Sequence, residues 1–225
     1  MSRSTRILLG GAVVATPLFV ALWAAQAFTR EGFRPAFHPM SLLSLGDGGW
    51  AQIANFIATG LLIIGGGVGL RRALRSGLAT RWASALIMLM GVGLVLAGLF
   101  PTDAGAGYPA GAPAGAPVMS WHGAVHQMGF VLTQLAFAVA AVILAVQFGR
   151  DRKRGWAAAC TTALVAAVLV AALGDPDTLA IRLVVSATVE LGLISALALG
   201  ALRSAPSTPT AEPHRRRVPA GAAPA

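Results

Sequence analysis

Six uninterrupted apolar runs divide the chain, at roughly residues 7–28, 51–70, 83–100, 125–148, 157–173 and 181–202. A helix needs about 20 apolar residues to cross the hydrocarbon core of a bilayer, and the runs approach or exceed that length. None alternates polar and apolar positions at every second residue, as a half-buried strand does. Lipid offers no partner to an exposed amide, so apolar runs of this kind are predicted to be helices. Turn chemistry or charge stops them: Pro101 after the third, Gly149-Arg150-Asp151 after the fourth, and Gly174-Asp175-Pro176 after the fifth. The pattern predicts an all-α fold, a polytopic transmembrane bundle of six helices over residues 1–203.

Arg3 and Arg6 precede the first run, and Ala25-Gln26-Ala27 resembles a cleavage site. Its apolar core nevertheless outlasts the roughly 7–15 residues of a signal peptide, so it is read as a retained helix. Ala104–Val118 repeats Ala-Gly-Ala-Pro and reads as a flexible outer loop. Residues 204–225 are rich in Pro and Ala and read as a disordered cytoplasmic tail.

Composition sharpens this picture. The 225 residues are 56% hydrophobic and 11% charged, against about 25% charged in soluble domains. An ordinary soluble globule and a disordered chain are both excluded. The single cysteine, Cys160, excludes an internal disulfide framework.

The net charge of +9 invites a nucleic-acid reading, and its placement argues against one. With the N-terminus inside, Arg30, Arg34 and Arg182 are the only basic residues of the 17 that fall on the outer side. That asymmetry predicts both termini in the cytoplasm. The expected partner is therefore the lipid bilayer, not nucleic acid, with a homo-oligomer or another membrane protein left open. Trp50, Trp82, Trp121 and Trp156 sit near run edges and Trp23 about a turn inside one; a membrane-interface belt accounts for all five.

Polar residues inside spans are costly and so informative. Gln52, Asn55 and Thr59 share one face of the second run by their spacing of three and four. His122 and His126 open the fourth, with Thr133 on the same stripe and Gln127 and Gln134 beside it. Arg182, Ser186 and Glu190 descend the sixth in steps of four, so Glu190 lies about 12 Å below Arg182. Glu190 is expected to face the bundle interior, to be protonated, or to pair with Arg182, Gln134 or Asn55. The glycines of the second and third runs, including Gly65-x-x-x-Gly69, are expected faces of close helix approach.

Two histidines one helical turn apart can grip one metal ion, with Asp103 as a third ligand and an open position for water. Gly123 stands where a zinc peptidase carries Glu, and a hydrogen-bonded structural or proton-handling pair is the competing reading. No cofactor is otherwise expected; zinc or a similar divalent ion is the one candidate.

Three stretches also resemble a known family. They are His38-Pro39-Met40-Ser41-Leu42-Leu43-Ser44-Leu45-Gly46, then Gly98-Leu99-Phe100-Pro101-Thr102-Asp103, then His122-Gly123 with His126; Asn55 lies between the first two. Together they resemble the bacterial membrane family catalogued as domain of unknown function 998. The resemblance implies a six-helix integral membrane protein and no particular activity. It also implies that Ser41, Ser44, Asn55, Asp103, His122 and His126 form an outward-facing polar set.

The expected protein is thus an integral membrane protein with an outward-facing polar pocket. Asn55, Asp103, His122, His126 and Glu190 build it, with Arg182, Ser41 and Ser44 alongside. It would serve a proton-sensitive sensor, an accessory subunit or a small-solute carrier. The alternative is a membrane-embedded metal-dependent hydrolase acting on lipid head groups, with His122, His126 and Asp103 as metal ligands. A purely structural role for the polar groups is the third possibility.

Overall fold

The computed structural model describes residues 1–74 and 77–204. The expected tail and Arg75 lie outside the described residues, apart from Ser204. Six α-helices follow one another: α1 (Arg3–Thr29), α2 (Gly49–Ala73), α3 (Leu78–Leu99), α4 (Trp121–Arg150), α5 (Arg154–Ala172) and α6 (Leu179–Arg203). All six are long and apolar enough to cross a membrane, so the chain is a multi-pass membrane protein. No strand occurs among the described residues.

Most helices overrun their apolar runs at both ends, because caps rather than hydropathy stop a helix. Ser2 accepts from the Thr5 amide and Ser120 from the Gly123 amide, each satisfying a first-turn donor. The 30 residues of α4 extend about 45 Å, longer than a hydrocarbon core about 30 Å thick.

Each helix packs on the next in chain order, and α6 closes a ring against α1. The end where α2, α4 and α6 begin is called the upper end. Arg30, Arg34 and Arg182 lie there, and the other described basic residues lie at the lower end.

Glycines set the tightest seams, as expected. A Cβ on Gly60 would meet Gly91 O at 2.6 Å, and one on Gly129 would meet Gly93 O at 2.7 Å. So α3 presses its backbone against α2 on one side and α4 on the other. Gly65, Gly66 and Gly69 face Leu8, Ala12 and Leu9 of α1. Pro17 sits inside α1, where it cannot donate a backbone hydrogen bond. Neighbours staple the helix around it: Ser195 Oγ donates to Ala12 O at 2.7 Å, and Asn55 Nδ2 donates to Phe19 O at 3.1 Å.

Two features depart from expectation. Trp50, Trp82 and Trp121 are exposed near the starts of their helices. Trp23 is buried, and Trp156 is half-buried over Gly200, so packing places these two. The Ala/Gly/Pro-rich loop, in turn, has specific contacts that composition does not announce. Ala106 N donates to Gly115 O at 2.9 Å and Gly107 N to Pro113 O at 2.8 Å. Tyr108, the chain's single tyrosine, is buried between the upper loops.

Candidate functional site

A cavity of about 570 Å³ occupies the upper half of the ring, walled by α1, α2, α3, α4 and α6 and by the upper loops. Its surface is mostly apolar, with Phe19, Phe56, Met90, Leu94 and Phe130 among the walls. Polar groups enter at three levels. Ser41 and Asp103 stand near the rim, His126 lies below them, and Gln134 with Glu190 lies deepest. Gln134 is eight residues beyond His126 on α4, about 12 Å further down the helix.

Glu190 is 2% exposed. One carboxyl oxygen accepts from Gln134 Nε2 at 2.8 Å. Ser186 Oγ lies 3.2 Å from that oxygen and 3.1 Å from Ala167 O, so its single proton is shared between them. The other carboxyl oxygen takes no hydrogen bond among the described residues. Of the three expected partners the structure supplies Gln134. Arg182 turns away: its guanidinium donates to Ala171 O at 3.1 Å and Asp175 O at 2.8 Å. The last turn of α5 leaves carbonyls without helix partners and carries partial negative charge, which attracts a cation.

His126 is held by the same kind of orphan carbonyl, from α3. Its Nδ1 lies 3.0 Å from Ala97 O and 2.9 Å from Phe100 O. A carbonyl only accepts, so Nδ1 carries the proton and Nε2 keeps a lone pair. His126 is 6% exposed and lines the cavity, so that lone pair is available to a guest.

His122 is not in the cavity wall. Its Nδ1 donates to Pro101 O at 2.9 Å, and its Nε2 stands 3.7 Å from Asp103 Oδ1. Asp103 Oδ2 accepts from the Ser120 amide at 2.8 Å. The side-chain and backbone hydrogen bonds from Ser120, then the nearby histidines, hold its carboxyl below the usual carboxylate value. The first turn of α4 has no acid of its own, and Asp103 brings one from the preceding loop. Gly123 makes room for it, since a Cβ there would collide with the Asp103 carboxylate.

Ser41 lines the cavity, whereas Ser44 donates to Ser41 O at 2.6 Å within the short turn Met40–Ser44. Asn55 is fully buried between α1 and α2 and outside the cavity. The expected polar set therefore divides. Ser41, Asp103, His126 and Glu190 share the cavity, while Asn55, His122, Ser44 and Arg182 hold neighbouring backbone in place. Among the described residues no three His, Cys, Asp or Glu side chains are grouped to hold a metal ion.

Sequence reasoning missed the plug above the cavity. His38 accepts from the Arg34 amide at 2.9 Å and meets Ala106 O at 3.1 Å, so both ring nitrogens are engaged. Its ring packs on Phe33 and Tyr108, with centroids 5.4 and 5.5 Å away. Arg30 donates to the Tyr108 hydroxyl at 3.2 Å and to Leu45 O at 2.6 Å. Burial pushes the His38 imidazole below its ordinary value, with Arg34 adding to the effect and the Ala106 hydrogen bond opposing it. The one signal was a lone tyrosine in an otherwise small-residue loop.

Neither a curated protein nor a solved structure matches the chain. One family model does, over residues 13–202. The match takes in most of α1, all of α2 to α5 and nearly all of α6, with every wall of the cavity. The chain therefore belongs to the family described as Protein of unknown function (DUF998).

Proposed function

We propose that the chain is a solute-binding protein of the bacterial cytoplasmic membrane, a small-solute carrier or sensor, whose cavity is entered from the outer surface. The basic residues of the lower end support this orientation, with both termini in the cytoplasm. The observation that carries the reading is the convergence of buried polar atoms on one apolar-walled space. His126 of α4 and Glu190 of α6 both turn into it, and Gln134 bridges the two helices to Glu190. Ligand pockets have this construction: apolar walls with a few placed polar groups. Packing alone would need no such space, since lipid-facing interiors close readily on small residues. A solute that displaces or reinforces the Gln134–Glu190 hydrogen bond shifts α4 against α6, the moving part a carrier or sensor needs.

Cysteine labelling tests the entry route. In a Cys160→Ser background, Ala187→Cys in the wall and Gly115→Cys at the rim are each exposed to a membrane-impermeant thiol reagent from outside. Labelling of both supports the proposal. Labelling of Gly115→Cys alone overturns it, as does labelling of either only from the cytoplasmic side.

The alternative, a lipid-head-group hydrolase, needs His122, His126 and Asp103 to share one ion through the two Nε2 atoms, the Nδ1 atoms being held by carbonyls. Stoichiometric zinc in the purified protein, lost when both histidines become Gln, is the result that would favour it.

A further inference from the structure

Two acceptors stand open in the lower cavity, on His126 and Glu190. His126 presents the Nε2 lone pair, because its proton sits on Nδ1 between two carbonyls. Glu190 presents one carboxyl oxygen without a hydrogen bond, the other being used by Gln134 and Ser186. Gln134 gives one of its two amide N–H groups to Glu190, and Gln127 stands beside His126 in the wall. Among the described residues no Arg or Lys lines the cavity. The basic residues of the upper end are occupied elsewhere: Arg30 on Tyr108 and Leu45, Arg34 over the Phe37 ring at 4.4 Å, and Arg182 on the end of α5. Glu190 is therefore a buried acid with no countercharge of its own, in a region where a lone charge is expensive.

The remaining walls are apolar and aromatic. Phe19 and Phe56 stack 6.2 Å apart, and Phe56 meets His126 at 6.2 Å. Such faces suit the body of an apolar guest, and their quadrupoles also favour a cation. The two acids of the cavity, Asp103 and Glu190, disfavour an anion, and no described Arg or Lys offsets them there.

We propose that this cavity takes an amphiphilic organic cation, an alkyl or aryl amine, with its ammonium on the open oxygen of Glu190 and its apolar body along Phe19, Phe56 and Leu94. The second hydrogen-bond acceptor, His126 Nε2, lies about two helical turns above Gln134. It takes a hydroxyl or amide donor carried further along the guest. The inference rests on the solute-binding reading and names its ligand class.

Three probes of one chain length and different head groups test it: hexylammonium, hexanol and hexanoate. Each is titrated calorimetrically near neutral pH into the full chain in phosphatidylcholine nanodiscs, which carry no net charge to bias partitioning. The amine is expected to bind about tenfold tighter than the alcohol, the usual advantage of a charge-assisted hydrogen bond over a neutral one. Hexanoate is expected to bind weakest. In Glu190→Gln, whose side-chain carbonyl still accepts from Gln134, the amine should lose its advantage while hexanol binds as before. Equal binding of amine and alcohol to the wild type, or preference for hexanoate, overturns this inference and leaves the solute-binding reading standing. An amine preference that survives in Glu190→Gln overturns it too. Failure of all three probes to bind, together with an unlabelled Ala187→Cys, overturns both.

Discussion

Two buried polar clusters occupy the upper half of the ring, and they are put to opposite uses. Between α1 and α2, Gln52, Asn55 and Thr59 are fully buried. Gln26 Nε2 donates to Gln52 Oε1 at 3.0 Å, and Asn55 donates to the α1 backbone. This ladder lies outside the cavity and joins two helices. Between α4 and α6, His126, Gln134 and Glu190 line open space. Residue type does not distinguish the clusters, since both are polar stripes at helical spacing. The glycines do. Gly65, Gly66 and Gly69 let α2 close on α1, and Gly93 with Gly129 draws α4 towards α3. No such seam joins α4 to α6, for no glycine of either helix meets the other. The stripe between α1 and α2 is consumed in packing, whereas Gln134 and Glu190 face a wider gap that is left for a guest.

Breaking a seam should do the most damage. Gly91→Leu drives side-chain atoms into Gly60 O and Ile64, where backbone has no room to yield. It should cost at least about 3 kcal/mol and leave little monodisperse protein in detergent. Gly192→Leu is the matched control and should purify normally; equal losses in both would show that seams do not decide the packing.

The next contrast separates the clusters directly. Asn55→Leu removes the donor to Phe19 O and the acceptor of Thr59, and should lower stability by about 1–2 kcal/mol. Its hexylammonium affinity should match that of the wild type. Glu190→Gln should show the reverse, a smaller change in melting temperature with the amine preference gone. If Asn55→Leu weakened amine binding as strongly as Glu190→Gln, the distinction between the clusters would fail.

A smaller effect is expected at the rim. Gly123→Ala pushes the Asp103 carboxylate away from the α4 amino terminus and should cost about 1 kcal/mol, the usual value of a lost cap. Denaturation of Gly123→Ala and Gly123→Ala/Asp103→Asn should then differ little, since the first change already removes the contact.

The least effect is a pH dependence at the plug. The His38 imidazole titrates below its ordinary 6.5 in the folded chain, so the unfolded chain binds more protons in the interval between the two values. Its contribution to stability is fully present above about 6.5 and falls as the pH drops through that interval towards the folded value. Melting temperature should therefore decline on mild acidification. His38→Gln can reproduce both contacts without titrating and should flatten the slope; an unchanged slope would remove His38 as its source.

Much of the fold was legible in the sequence, because hydrophobic run length against bilayer thickness is a local property. The candidate site was legible in part. His126 and Glu190 announced themselves as polar atoms that lipid would not tolerate. Steps of four align Arg182 with Glu190 on α6, but the bare carbonyl end of α5 attracts the guanidinium more strongly, and no spacing within α6 shows that. Tyr108 went unread because its partners Arg30 and His38 lie some 70 residues or more away in the chain.

Taken alone, the sequence determined six membrane-crossing helices, their approximate ends, the asymmetry of charge between the two ends and the need to bury Glu190, since each follows from the transfer of local groups between water and lipid. Only the tertiary structure decided which polar stripe would be sealed and which would line a cavity. That choice depends on backbone approach between helices distant in sequence, such as α1 and α6 joined through Thr16 and Ser195, and close approach is set jointly by the small residues of both partners.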